Sequence, residues 1–140
     1  MSQPRRILIV EDNSDIAELL VLRLGIAGYD TCRAADAEAA AQALDVFRPD
    51  GILLDIGLPG RDGLSFLQSI KATANYKDIP VLMLTARQAA GDIQLALKLG
   101  ARDYVAKPFD DRKLLFRIGR MLGDHVATPT PVQRTYIWNK

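Results

Sequence analysis

Residues 51–55 read Gly-Ile-Leu-Leu-Asp, an apolar run that ends on a carboxylate. Comparable apolar runs occupy residues 7–10 and 79–84, and each is followed by polar residues and then by a longer amphipathic segment. A strand without polar alternation is buried on both faces, which is typical of parallel sheets covered by helices. These runs therefore predict the inner strands of a parallel sheet.

The alternation of short strands and longer helices continues to residue 122. Units of this kind, joined by right-handed crossovers, fold into a doubly wound sheet. We predict an α/β fold with a five-stranded parallel sheet in the order 2-1-3-4-5 and five helices on its two faces. The predicted strands are 7–10, 29–33, 51–54, 79–84 and 103–106, and the predicted helices are 14–27, 36–47, 63–73, 89–99 and 110–122.

The first helix has recognisable ends and a predicted inward stripe. Asn13 or Ser14 could cap its N-terminus, and Gly28 suits its C-terminal end. The helical repeat predicts that one set of side chains faces the core, namely Ile16, Leu19, Leu20, Arg23 and Ala27.

The composition fits one globular domain and excludes several classes of function. The chain has 140 residues and a net charge of +1, and its scattered Lys and Arg residues argue against a nucleic-acid partner. No apolar run approaches the ~20 residues of a membrane span, and residues 1–6 contain no signal-peptide core. Cys32 and His125 are the single cysteine and histidine, so no internal disulfide and no Cys- or His-rich metal site is expected. We therefore expect a cytoplasmic protein.

Residues 124–140 break the alternation and contain Pro129, Pro131 and the run Tyr136-Ile137-Trp138. We expect residues 1–123 to form the domain and residues 124–140 to be a C-terminal tail or linker. The run at 136–138 could dock on a partner or on its own domain, or belong to a disordered end.

Polar residues stand at one end of this apolar sheet. Glu11 and Asp12 follow the first strand and Asp55 ends the third, while Thr85 and Lys107 follow the fourth and fifth. Alone, each has an ordinary explanation: acids favour a helix N-terminus, Thr85 could cap a helix, and Asp55 and Lys107 could be solvated strand ends. Together they occupy the carboxyl edge of a doubly wound sheet, where ligands of this fold bind.

The chemistry of the set fits phosphoryl transfer. Clustered carboxylates repel one another and call for a cation, and oxygen ligands favour Mg²⁺. We expect Glu11 and Asp12 to hold the metal and Asp55 to be the nucleophile that forms an acyl phosphate. Lys107 would supply a second cation for the transferred group, and the Thr85 hydroxyl could bond one of its oxygens.

Four ordered motifs extend this interpretation. They are Ile-Leu-Ile-Val-Glu11-Asp12-Asn13, Leu-Leu-Asp55-Ile-Gly-Leu-Pro59-Gly-Arg-Asp-Gly63, Leu-Thr85-Ala86 and Gly-Ala-Arg-Asp-Tyr104-Val-Ala-Lys107-Pro108-Phe109. Over residues 5–122 the sequence resembles the receiver domains of two-component response regulators, which have the CheY-like form of the flavodoxin fold. The resemblance implies a signalling switch rather than an enzyme, with at most slow self-catalysed phosphorylation and dephosphorylation.

The resemblance also implies partners and a cofactor. Asp55 would accept a phosphoryl group from a histidine kinase or a phosphotransfer protein. Mg²⁺, with Mn²⁺ as a substitute, would be held by Glu11, Asp12, Asp55 and the backbone carbonyl of Gly57.

The implied output is a change of shape. Thr85 and Tyr104 would form a switch pair, and the face built from helix 4, strand 5 and helix 5 would then control binding to another protein. The Lys107–Pro108 bond would be cis. We expect no output domain after residue 122 of this sequence, which would make it either a stand-alone receiver or the N-terminal piece of a longer regulator.

Departures from the family pattern carry further expectations. In the family, the positions of Gly57 and Arg87 tune hydrolysis of the acyl phosphate, and a glycine has no side chain to position water. We therefore expect slow self-dephosphorylation. In DNA-binding relatives a charged face forms a dimer. Asp103 and Arg117 match one of its pairs, but Leu95 and Lys113 do not match another, which argues against that form of a phosphorylation-dependent dimer.

Other classes fit less well. A phosphatase of the haloacid-dehalogenase type places its nucleophile after the first strand with a second acid two residues on, whereas Asp55 follows the third strand and precedes Gly57. A flavin-binding module would need a Ser-, Thr- or Gly-rich phosphate loop after the first strand, where residues 11–13 are Glu-Asp-Asn. A receiver that never takes phosphate would not need the full residue set.

Overall fold

The computed structural model of the chain describes residues 3–58, 63–86 and 90–123. It contains five parallel strands in the order 2-1-3-4-5, which confirms the predicted sheet. The strands are β1 (Arg6–Val10), β2 (Asp30–Ala34), β3 (Gly51–Asp55), β4 (Val81–Ala86) and β5 (Asp103–Lys107).

Some predictions fall outside the described residues. They concern Pro59 in the turn after β3, Arg87, the start of the fourth helix at Ala89, His125, and the tail at residues 124–140 with its run Tyr136-Ile137-Trp138.

Helices connect the strands and cover both faces of the sheet. They are α1 (Ser14–Ile26), α2 (Ala37–Phe47), α3 (Gly63–Ala72), α4 (Ala90–Leu99) and α5 (Asp111–Met121). The side chains of Asn13, Asp36 and Asp110 cap α1, α2 and α5, each accepting a hydrogen bond from a backbone N–H of the first turn. Among the helices of the described ranges, none combines the length and the apolar composition that crossing a bilayer requires.

Alternate residues of the inner strands point to opposite faces of the sheet and form two apolar cores. Leu8 and Val10 of β1 pack in the core beneath α2, α3 and α4. Ile7 and Ile9 pack in the core beneath α1 and α5. Burial on both faces explains the lack of polar alternation in these strands. It also holds the strand ends, and the side chains attached to them, in fixed positions.

The predicted stripe of α1 was wrong in part. The helix buries Ala17, Leu20 and Leu24, whereas Leu19 is 38% exposed and Ala27 lies exposed beyond the helix end. Apolar residues occupy nearly every side of this helix, so helical periodicity alone could not choose the buried side.

The predicted fourth strand began two residues too early. Ile79 donates its N–H to Tyr76 O in the preceding turn, and Pro80 separates it from the strand. The ladder with β3 therefore begins at Val81, which pairs with Ile52.

Candidate functional site

Three acidic side chains meet at the carboxyl edge of the sheet, where β1 and β3 run side by side. Glu11 follows the last residue of β1, and its N–H donates to Ala34 O at the end of β2. Asp55 is the last residue of β3. Because neighbouring parallel strands end at the same edge, carboxylate oxygens of Glu11, Asp12 and Asp55 lie within 4.8 Å of one another.

Glu11 is fully buried, which is rare for a carboxylate without a partner. Its Oε2 accepts a hydrogen bond from Asn13 N–H at 3.1 Å, and Lys107 Nζ lies 2.7 Å from its Oε1. Burial raises the pKa of Glu11, while the contacts with Lys107 and Asn13 lower it and the charge of Asp55 raises it further. A second cation in contact with Glu11 would favour its ionised form.

Asp55 is 7% exposed, and both of its carboxylate oxygens have contacts. The Gly57 N–H donates to Oδ1 at 3.0 Å, and Lys107 Nζ lies 3.4 Å from Oδ2. Lys107 ends β5 and reaches across the end of β4 to these acids. One ammonium group therefore bridges the buried carboxylates of Glu11 and Asp55. The peptide bond that follows, Lys107–Pro108, is cis.

The side chains of Thr85 and Tyr104 project from the same face of the sheet. Thr85 is buried within β4 and pairs with Ala106, and Tyr104 pairs with Met83 two residues earlier in the same ladder. Side chains two residues apart on a strand share a face. Since Thr85 lies inside the strand and α4 begins at Ala90, Thr85 does not occupy the capping position of that helix.

Tyr104 lies at the surface beside a cluster of charges. Its side chain is 36% exposed, and the Arg117 guanidinium carbon lies 5.9 Å from its ring centroid. Asp103 pairs with Arg117 at 2.7 Å and with Arg120 at 2.9 Å. Within this chain, Asp103 and Arg117 therefore form an ion pair that joins β5 to α5.

The positions that depart from the family's charged dimer face are both at the surface. Leu95 of α4 is 45% exposed. Lys113 of α5 is exposed and has no ion pair with any residue that the structure describes.

The donor set suits a hard divalent cation. Three carboxylates converge, two of them buried and Asp12 exposed, so the cluster lies between the core and solvent. An all-oxygen set with an excess of negative charge favours Mg²⁺ over softer metals. Gly57, the fourth predicted ligand through its carbonyl, lies two residues after Asp55 and is exposed.

Two residues that shape the site had no recognised role in the sequence. Gly63 opens α3, and a Cβ atom there would lie 2.2 Å from Asp55 O and 2.8 Å from Ile56 Cα. The side chain of Arg33 bonds the backbone of Glu11 and Asp12. Both roles depend on contacts between distant elements, and in a single sequence only the glycine before a helical pattern offers a weak signal.

The comparisons with known proteins agree with this geometry. The model of the family described as Response regulator receiver domain matches residues 7–119. A protein from Chloroflexus aurantiacus provisionally named a response regulator is 38% identical, with a TM-score of 0.83 and coverage of 86% of this chain and 98% of that chain.

Two further structures are similar. The receiver domain of a sensor histidine kinase from Pseudomonas aeruginosa, which holds a magnesium ion in its active-site cleft, is 35% identical, with a TM-score of 0.79 and coverage of 86% of this chain and 99% of that chain. The chemotaxis response regulator CheY4 of Vibrio cholerae is 30% identical, with a TM-score of 0.79 and coverage of 84% and 98%. Given its fold, its acid cluster and the family match, the chain belongs to the receiver domains of two-component response regulators.

Proposed function

We propose that this receiver accepts a phosphoryl group on Asp55 in a Mg²⁺-dependent reaction and thereby switches its binding to another protein. The observation that carries the proposal is the convergence of three carboxylates on one lysine at the carboxyl edge of the sheet. It is a signalling switch rather than an enzyme with a separate substrate.

The metal ligands in this proposal are carboxylate and carbonyl oxygens. Mg²⁺, or Mn²⁺ in its place, would be held by Glu11, Asp12, Asp55 and the backbone carbonyl of Gly57. When bound, the ion would neutralise charge that builds up on the transferred phosphoryl group. The mutual repulsion of the carboxylates within 4.8 Å supplies the reason for a cation here.

Besides the metal ion and the phosphodonor, phosphoryl transfer would use groups that the chain provides. A carboxylate oxygen of Asp55 attacks phosphorus and forms the O–P bond of an acyl phosphate. The P–N bond to the donor histidine breaks, and its electron pair stays with the histidine. Lys107 Nζ already lies 3.4 Å from Asp55 Oδ2 and would contact the phosphoryl oxygens that gain charge.

The proposed output runs through Thr85 and Tyr104. The hydroxyl group of Thr85 would donate a hydrogen bond to a phosphoryl oxygen. Tyr104, which is 36% exposed, would turn inward on the same face of the sheet. The surface formed by α4, β5 and α5 would then change shape. The phosphoryl group can bias this equilibrium only through contacts that are better in one state than in the other.

The partners follow from this reaction. The phosphodonor would be a histidine kinase or a phosphotransfer protein, and the downstream partner a protein that binds the α4–β5–α5 surface. We propose that the protein is cytoplasmic and makes no direct contact with nucleic acid or membrane. We also propose that any dimer depends on phosphorylation.

We propose that residues 1–123 form the receiver and that residues 124–140 are a tail or linker. In the alternative, the chain is the N-terminal piece of a longer regulator that carries an output domain.

A small phosphodonor should transfer its phosphoryl group to this protein. We expect a phosphoryl-sized gain in intact mass that requires Mg²⁺ and is absent from Asp55→Asn, because the amide cannot form an acyl phosphate. Melting of both proteins controls for folding. No gain in mass together with no binding of Mg²⁺ would contradict the mechanism.

The phosphorylated protein should lose its phosphoryl group slowly. Among the described residues, a Cβ atom at Gly57 would find only Asp55 Oδ1 within 4 Å, at 3.8 Å, so these residues leave room for a side chain. We expect Gly57→Asn to shorten the phosphoprotein's lifetime by about tenfold, less than the ~10²–10⁴-fold effect of a full general base. Gly57→Ala, which fills the space without a polar group, should leave it unchanged. A wild-type half-life of seconds would refute this expectation.

A further inference from the structure

The side chain of Arg33 contacts the backbone beside the acid cluster. The strand β2 ends at Ala34, so the ladder offers no further strand N–H to the carbonyl groups that follow β1. The Arg33 side chain takes that place: its Nε donates to Glu11 O at 3.0 Å and its Nη2 donates to Asp12 O at 3.2 Å.

These carbonyl groups belong to two of the three acidic residues of the site. The Asp12 side chain is exposed and, within residues 3–58, 63–86 and 90–123, makes no hydrogen bond or ion pair of its own. The backbone therefore determines the position from which this carboxylate can reach the other acids. Arg33 holds that backbone on one side, and the capped start of α1 at Asn13 holds it on the other.

We infer that Arg33 is a positioning residue that holds the β1–α1 connection so that the carboxylates of Glu11 and Asp12 stay directed at the metal position. A planar guanidinium can donate to two carbonyl groups at once, whereas an ammonium group acts as a single point charge. Acids of like charge at short range tend to move apart, and the two bonds from Arg33 oppose that movement. This inference rests on the proposed function for its choice of Mg²⁺.

The two possible roles of Arg33, positioning the backbone or acting as a nearby charge, predict opposite changes in Mg²⁺ affinity when its side chain is removed. If Arg33 acted only as a nearby positive charge, its removal would tighten binding of a cation. If it holds the connection in place, removal should weaken Mg²⁺ binding by about tenfold, the lower end of the effect of losing a group that orients metal ligands.

The test measures Mg²⁺ binding by calorimetry on wild-type protein, Arg33→Ala and Arg33→Lys. Amide hydrogen exchange at Glu11 and Asn13 is followed in metal-free protein. We expect Arg33→Ala to bind Mg²⁺ about tenfold more weakly and to exchange these amides faster, and Arg33→Lys to recover only part of both losses. Arg6→Ala is the matched control, because Arg6 Nη1 donates to Phe47 O at the opposite edge of the sheet. It should leave both readouts unchanged.

Unchanged or tighter Mg²⁺ binding in Arg33→Ala would overturn the inference, as would unchanged exchange. Full recovery by Arg33→Lys would also overturn it, since the simultaneous bonds of a guanidinium to two carbonyl groups would then not be needed. If the wild-type protein binds no Mg²⁺, the proposed function fails, and the exchange measurement alone decides the role of Arg33.

Discussion

Replacing Gly63 by alanine should lower the free energy of unfolding by about 3 kcal/mol or more, at the upper end of the cost of overpacking. The added Cβ would lie 2.2 Å from Asp55 O and 2.8 Å from Ile56 Cα. Both are backbone atoms, which cannot relieve the clash by rotating to another side-chain rotamer. The Gly63 N–H donates to Ile56 O at 3.0 Å, so the contact also joins α3 to the residue after Asp55, the proposed phosphoacceptor.

Urea and thermal unfolding measure this effect, and a loss of that size corresponds to roughly 10 °C in melting temperature for a domain of this length. Gly25→Ala is the matched control, because no heavy atom of the described residues lies within 4 Å of a Cβ added there. Alanine in a helix is favoured over glycine by about 0.5–1 kcal/mol, so this control should be neutral or stabilising. An unchanged melting temperature in Gly63→Ala would mean that α3 does not press on Asp55.

Replacing Lys107 by methionine should slow phosphorylation by a small phosphodonor about 10²-fold at saturating Mg²⁺, the cost of losing one group that stabilises the charge of a transition state. The ammonium group lies 2.7 Å from Glu11 Oε1 and 3.4 Å from Asp55 Oδ2. Methionine keeps a stem of similar length without the charge. Rates are measured by intact mass against time.

The same substitution should tighten Mg²⁺ binding, because a cation that competes for the carboxylates has been removed. Slower chemistry combined with tighter metal binding cannot arise from a damaged fold. Lys77→Met, on an exposed side chain in the connection between α3 and β4, should change neither quantity. An unchanged phosphorylation rate in Lys107→Met would remove Lys107 from the proposed mechanism.

Much of the fold was predictable because the apolar runs stop abruptly at polar residues. Leu54 is followed by Asp55 and Val10 by Glu11, and the topology of a doubly wound sheet brings such strand ends to one edge. The structure places their carboxylates together, as expected from strand order alone. The role of each residue in the reaction stays a prediction until the phosphorylation experiment is done.

Other features depend on distances between elements and could not be predicted. Arg33 is one of 18 Lys and Arg residues, and only the β1–β2 register and the end of β2 bring it to the acid-bearing backbone. Gly63 is required because α3 starts against Asp55 and Ile56. In α1, Leu19 and Leu24 are equally apolar, and tertiary packing decided that Leu24 is the buried one.

The two outer strands of the sheet, β2 and β5, carry ionic side chains near both ends. Asp30 and Arg33 lie on β2, and Asp103 and Lys107 lie on β5. An outer strand offers unpaired backbone groups to the strands of other molecules, and charged side chains discourage such edge-to-edge pairing. Arg33, Asp103 and Lys107, which lie at or near the site, therefore also discourage aggregation through the sheet edges. The inner strands can then be almost wholly apolar without promoting self-association of the sheet.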